Sequence, residues 1–315
     1  MSGGGVLSCP ACQNPLPTTP AIRGRDRLHG IPGEFVVYVC RRCGSGRTLP
    51  FVAPEDLAEL YPPSYNAFAL PANVVLRGAA TALFRWRYWR GLRRPPLVEL
   101  SPLAPGRLLD VGSGRGDLGL VLGEHGWRVT GVEPSREASD EANARGAPTL
   151  HGTLAALSTR LDSNFDAIVF QHSLEHVAEP VDDLRLAREH LSPGGLLLVS
   201  LPNFGCWQAR RFGSDWFHLD LPRHRAHFTV HGINFLLERA GLEPLRHGTS
   251  TSADGLPMSI QYRLFGERRY RRGFPLYASV TATLATSPLT ALADRAAGAG
   301  DILHAVARRP SPGGT

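Results

Sequence analysis

Three groups of residues have types and spacings that could do chemistry. The first lies in Leu108-Leu-Asp-Val-Gly-Ser-Gly-Arg-Gly116, where an apolar run ends in Asp110 and then Gly112, Ser113, Gly114 and Gly116. That is the pattern of a buried strand turning through glycines into a helix, here expected over 117–125. Glycine lets the backbone take φ > 0 and approach a ligand with no Cβ between them. The helix start adds free N–H groups and a positive dipole end, so the turn suits a nucleotide-like ligand. The spacing is G-x-G-x-G, with Asp117 where a dinucleotide site has its third glycine. Asp110 would repel a pyrophosphate and favours a ligand whose near end is cationic. S-adenosylmethionine has an ammonium, a sulfonium and no phosphate. A second apolar run, Trp127–Val132, ends in Glu133, where a carboxylate can accept both ribose hydroxyls.

The second group is Cys9-Pro-Ala-Cys12 and Cys40-Arg-Arg-Cys43. Each C-x-x-C turn brings two thiolates to one tetrahedral site, and two turns close it, which predicts a structural zinc ion and leaves no open catalytic position. No βαβ pattern surrounds them, as a thioredoxin-type redox site would require. The strand-like Glu34–Cys40 leads into the second turn, as in a zinc ribbon. A segment this short cannot bury enough apolar surface to fold alone and needs such a staple. The third group is the histidine-rich stretch Asp215–Phe228, which holds His218, His224 and His227 beside Trp216 and Phe217. Histidine titrates near neutral pH and suits proton transfer. His224 and His227 are the candidate bases. His176 reads as a structural or cofactor-shell residue, His231 as solvent-facing and Cys206 as buried filler.

Strands are expected near 107–111, 127–132, 148–151, 165–170, 195–201, 242–248 and 301–308, with helices between them. Alternation of this kind predicts an α/β fold, a doubly wound sheet of seven strands. Its ligand lies across the carboxyl ends of the strands. Three loops should line the site: Asp110–Gly116, Gln171–His176 with Gln171 and His172 nearest the strand, and Pro202–Phe228. The division of the chain reads as a zinc-ribbon-like domain (1–52), a helical linker or cap (53–104), the ligand-binding domain (105–309, with an insertion at about 249–300) and a tail (310–315). The linker should hold a short helix from Pro54, an extended Tyr61–Tyr65 and a helix over Val74–Arg94.

Residues 107–248 resemble a class I S-adenosylmethionine-dependent methyltransferase. The matching pieces are LLDVGSGRGDLG, VTGVEPS, FDAIVFQHSLEHV, LSPGGLLLVSLPN and HFTVHGINFLLERAGLEPL. The resemblance implies a Rossmann-like sheet whose last strand is antiparallel, in a hairpin with 242–248, and it places Gly152 and Thr153 beside the adenine. The stretch from Trp216 to Thr229 is similar to the W-x-x-x-D-x-P-x-H-x-x-H-F-T segment of a zinc-independent branch of these enzymes. The implied cofactor is S-adenosylmethionine as methyl donor.

Composition narrows the partners. The formal charge is +6, yet every basic residue other than histidine is arginine, so arginine clusters carry less meaning than usual. Methionine 1 to Ser8 has neither the basic nor the apolar region of a signal peptide, which predicts a cytoplasmic, reducing setting in which thiols hold metal. Peripheral contact with a membrane is conceivable through 73–94, which mixes tryptophan and arginine, or through 263–293, which is uncharged from Gly273 to Ala293. Prolines and hydroxyl residues argue against that second stretch spanning a bilayer.

Three functions follow. The first is methyl transfer to a small-molecule, saccharide or lipid-like acceptor, at oxygen. The second is an RNA methyltransferase whose ribbon grips nucleic acid through Arg23, Arg25, Arg27, Arg41, Arg42 and Arg47. Against it, the loop after the fourth strand is Gln-His-Ser-Leu, where methylation of a base amine would need Asn/Asp-Pro-Pro-aromatic. The third is a non-catalytic S-adenosylmethionine-binding interaction protein, which retention of Asp110 and Glu133 disfavours.

Overall fold

The apolar runs of the sequence become strands covered on both faces. In the computed structural model, which describes residues 7–52, 60, 90–266 and 288–311, Leu108, Leu109, Ala167, Ile168 and Phe170 are fully buried. Continuous apolar strands of this kind belong to a parallel sheet with helices on both sides. The sheet strands are β4 (Arg107–Val111), β5 (Arg128–Glu133), β6 (Thr149–His151), β7 (Phe165–Gln171), β8 (Leu191–Pro202), β10 (Glu243–Ser250) and β11 (Ile302–Arg308), in the order β10-β11-β8-β7-β4-β5-β6. From β8 to β6 they run parallel, and β11 is antiparallel to both β8 and β10. This is the expected seven-stranded Rossmann-like sheet with its last strand reversed. β8 begins at Leu191, four residues before the strand start expected at 195. Pro193-Gly-Gly does not end the pairing; Gly194 takes φ +79° and the register with β7 shifts there.

The helices follow local signals. α1 (Asp117–Glu124) starts at Gly116 without a side-chain cap. α2 (Arg136–Ala144) is capped by Ser135, whose hydroxyl accepts from the Ala138 N–H. α3 (Leu154–Leu157) and α4 (Pro180–His190) flank β7 in sequence. α5 (Trp207–Phe212) begins at Cys206, whose buried sulfur accepts from the Ala209 N–H. α6 (Val230–Arg239) is capped by Thr229 and ends before Gly241 at φ +73°. α7 (Gly255–Phe265) and helical residues 288–296 are the described ends of the insertion.

A second sheet joins the cysteine-bearing segment to the rest. Its order is β1 (Ile22–Gly24), β2 (Phe35–Val39), β3 (Gly46–Leu49), β9 (Ala226–His227). The fourth strand comes from the loop after β8, with Gly46 opposite His227 and Arg47 opposite Ala226. The four cysteines share one buried cluster with Ala226, Phe228, Ile233 and Leu236. Nothing in the local sequence announced β9, because a two-residue strand has no period to read.

The expected helix from Pro54, the extended Tyr61–Tyr65, most of the helix over Val74–Arg94, residues 267–287 of the insertion and residues 312–315 of the tail lie outside the described residues. Among the described residues, no helix is long and apolar enough to cross a membrane.

Candidate active site

The turn after β4 has the geometry its glycines suggest. Gly112, Gly114 and Gly116 all take positive φ. A Cβ on Gly116 would lie 2.4 Å from the Ala147 Cβ, whereas one on Gly114 would meet nothing within 4 Å. Gly116 therefore serves close packing, and Gly114 leaves open space beside the turn. Glu133 reaches back from β5 to this turn. Its Oε2 accepts from the Gly114 N–H at 2.8 Å and its Oε1 from the Ser135 N–H at 2.8 Å.

Asp110, at the end of β4, is 3% exposed. Burial, with the Glu133 charge beside it, pushes its carboxyl up to about 7. Burial raises Glu133 as well, although two backbone N–H groups and nearby histidines oppose the shift. Among the described residues, no arginine pairs with either acid. Ser113 Oγ and Gln171 Oε1 are also buried without a hydrogen-bond partner among the described residues.

The other residues expected around the cofactor stand at the same carboxyl edge. Gly152 follows β6, and its N–H donates to the Glu133 carbonyl. Thr153 spends its hydroxyl capping α3. Gln171 ends β7, and His172, at φ +54°, anchors the next loop through its N–H to the Ser200 carbonyl.

The histidines of the long loop have distinct surroundings. His227 is buried in the second sheet, with its Nε2 2.8 Å from Thr48 Oγ1. That hydroxyl donates its one hydrogen to the His224 carbonyl at 2.7 Å, so toward His227 it accepts, and His227 carries its proton on Nε2. Burial pushes His227 down to about 3. His224 has its Nδ1 2.9 Å from the His218 carbonyl and its Nε2 3.9 Å from Glu175 Oε1 and 3.8 Å from Asp220 Oδ2. Burial and the neighbouring His176 ring push it down to about 4. His218 pairs with the buried Asp301 at 3.1 Å, which raises it and makes it part of the framework. His231 is exposed at the start of α6.

Glu175 carried no role in the sequence reading, yet it is central. It lies in the 3₁₀ turn Leu174–His176, is 2% exposed, and faces His172, His176 and His224. Those imidazoles hold its carboxyl down to about 2 against the cost of burial. The one signal available was an acid set between histidines, His172 and His176, in the turn after a central strand.

The sulfur atoms of Cys9, Cys12, Cys40 and Cys43 all lie within 4.8 Å of one another, and two pairs are 3.5 Å apart. A tetrahedron with metal–sulfur bonds of about 2.3 Å has sulfur–sulfur edges of roughly 3.8 Å, so the four thiols fit one zinc ion.

A family model for a methyltransferase domain matches residues 85–247. A ubiquinone biosynthesis O-methyltransferase of Dinoroseobacter shibae is 29% identical over 170 residues, half of this chain and 66% of that protein. Another, from a Methylobacterium species, is 34% identical over 120 residues, 35% of this chain and 46% of that protein. The chain thus matches about two-thirds or less of the length of these curated relatives. Among solved structures, the methyltransferase in a complex with the Haloferax volcanii Trm112 methyltransferase activator aligns with a TM-score of 0.51 at 16% identity, over 76% of this chain and 95% of that one. That likeness speaks for the fold. With the glycine turn and the two acids at the ends of β4 and β5, the match over residues 85–247 shows that the chain belongs to the class I S-adenosylmethionine-dependent methyltransferase family.

Proposed function

We propose that the protein transfers a methyl group from S-adenosylmethionine to a hydroxyl of a small-molecule acceptor. The observation that carries this reading is the pair of acids at the tips of β4 and β5. Asp110, buried and raised, takes the cationic methionine end. Glu133 takes the ribose hydroxyls, with Gly152 and Thr153 beside the adenine, Gln171 and His172 lining the cofactor from the end of β7, and Gly112 to Gly116 beneath. The relatives named for O-methylation support oxygen as the acceptor atom. Arg27 and Arg47, two of the arginines that could grip RNA, instead pair with Asp215 and Glu179, which favours the small-molecule reading over the nucleic-acid one.

Methyl transfer is an in-line displacement, so alignment and exclusion of water do most of the work. The loop after β8 and the insertion form the wall that does this. Phe217 N–H donates to Ser259 Oγ at 2.9 Å, and Trp207 Nε1 donates to Asp294 Oδ1 at 2.5 Å. Proton handling falls to His224 in its cluster with Glu175 and His176. His227, with its Nε2 bound to Thr48, is the weaker candidate for a base and holds β9 against β3. The four cysteines hold a structural zinc ion, and the chain works in the cytoplasm.

Calorimetry with S-adenosylmethionine tests the cofactor assignment. Each charge-assisted hydrogen bond contributes about 1.5–3 kcal/mol, so Glu133→Ala should weaken binding at least tenfold. Wild-type affinity in the variant would refute the ribose contact. Transfer of labelled methyl groups to a panel of hydroxylated acceptors tests the reaction.

A further inference from the structure

The insertion leaves the sheet after β10 and returns to it at β11, and one buried acid holds both ends. Asp301, fully buried, accepts from the Ser252 N–H at 2.7 Å and from the Ser252 hydroxyl at 2.5 Å. On the returning side, the Asn203 N–H donates to the Asp301 carbonyl and the Asn203 side chain to the Gly300 carbonyl, each at 2.8 Å. The approach is close. A Cβ on Gly255, the first residue of α7, would collide with Asp301 Oδ2, and one on Gly300 with the Ser250 carbonyl.

His218, from the loop after β8, completes the cluster. Its Nε2 lies 3.1 Å from both Asp301 Oδ2 and Ser252 Oγ. Ser252 spends its one hydrogen on Asp301, so toward His218 it accepts, and His218 Nε2 carries a hydrogen. Among the described residues, His218 is the one basic group paired with Asp301. The charges that act on His218 come from acids on three elements: Asp301 ahead of β11, Asp254 ahead of α7 and Glu175 after β7. Arg263 on α7 pairs with Asp215, and Arg223 on the same loop pairs with Asp26 and Asp220. Cys206 at the start of α5 faces Asp301 as a neutral thiol, pushed up to about 12 by burial. The Trp216 and Phe217 rings lie 5.7 and 5.0 Å from the imidazole. A buried carboxylate without a counter-charge is costly. Burial works against charge on both partners, yet their hydrogen bond and attraction hold His218 above its ordinary value and Asp301 below its own.

We propose that His218 and Asp301 form a proton-dependent latch, which fastens both ends of the insertion to the loop after β8 while His218 is charged and loosens when it is neutral. A raised imidazole gives its full stabilisation below about pH 6.5, and that stabilisation is lost as pH rises through the folded value. The latch stands apart from the methyl-transfer reading; its use rests on that reading. There the loop and the insertion wall the acceptor, and the His218 carbonyl, 2.9 Å from His224 Nδ1, seats the His224 ring.

The test is hydrogen exchange of the full chain, read over α7 between pH 6 and pH 9 and corrected for the intrinsic rate. Protection of α7 in the wild type should fall roughly tenfold across that range. His218→Gln keeps an N–H for Asp301 and cannot take a charge. Its protection should match the wild type at pH 9 and fall short of it roughly tenfold at pH 6. Ring NMR should place wild-type His218 above the ordinary imidazole value. Asp301→Asn should drop it below that value, since the burial stays and the charge is gone. Equal protection of wild type and His218→Gln at pH 6 would overturn the latch. So would a wild-type His218 that titrates at or below the ordinary value, and this measurement decides even where a variant does not fold. Calorimetry with S-adenosylmethionine on the same samples reads the methyltransferase proposal separately. Cofactor binding with no pH-dependent gap removes the latch alone, and the gap without cofactor binding removes that reading alone.

Discussion

Asp110 links the cofactor assignment to stability. Its folded value of about 7 lies above the ordinary 3.8, so the folded, ligand-free protein holds this proton more tightly than the unfolded chain does. Stability then falls as pH rises from about 4 to about 7. Asp110→Asn keeps the shape and removes the charge. At pH 8, the ligand-free variant should unfold at a higher temperature, by about 2–4 kcal/mol in stability, while its affinity for S-adenosylmethionine falls. A cationic ligand draws the carboxyl back to its ionised form. Wild-type affinity should therefore rise with pH up to about 7, with proton release on binding at pH 6, seen as buffer-dependent heats. Equal stability of the variant, or heats independent of buffer, would mean that Asp110 is not the charged partner of the ligand.

At the scale of elements, the cysteine-bearing segment acts as a brace for the loop after β8. Three contacts tie them: β3 pairs with β9, Thr48 binds both His224 and His227, and Thr229 Oγ1 donates to the Cys43 carbonyl at 2.6 Å. Arg47 adds an ion pair to Glu179 at the start of α4. Elemental analysis should find one zinc ion per chain bound at the cysteines. Cys40→Ser should lose it and speed hydrogen exchange at the β9 amides well before the parallel sheet responds. Unchanged zinc content in that variant would refute the site, and unchanged exchange would refute the brace.

Across the whole molecule, a buried charged pair ties the N-terminal segment to the loop after β8. Arg223 is fully buried and forms paired hydrogen bonds with Asp26 at 2.9 and 2.7 Å. It also binds Asp220 at 2.6 Å. Asp26 accepts the N–H groups of Leu28, His29 and Ile31 as well. Removing one partner strands a buried charge, so Asp26→Ala should cost about 3–5 kcal/mol in urea unfolding at pH 7. Arg223 and the backbone donors hold Asp26 below its ordinary value, and Arg223 with His224 holds Asp220 down to about 2. Their stabilisation is complete above about pH 4 and is lost as pH falls further. The gap between wild type and Asp26→Ala should narrow over that range. A loss under 1 kcal/mol at pH 7 would show that the clamp is not what joins the two parts.

The sequence alone determined what is written in contiguous residues. The reversed last strand was legible through the family resemblance alone, whereas Asp110 and its glycines and the acid closing β5 were legible because strand periods and glycine turns are local signals. The paired C-x-x-C turns were legible for the same reason, since a short turn sets where two sulfurs point. Tertiary structure decided the rest. It joined Gly46-Arg47 to Ala226-His227, gave His227 to the second sheet and His224 to an acid, and buried Glu175 where its charge has no hydrogen-bond donor among the described residues. Each of those depends on which distant side chains surround a residue. Burial and the field of neighbouring charges, which set the protonation of Glu175, His224 and Asp110, exist only once the chain has folded.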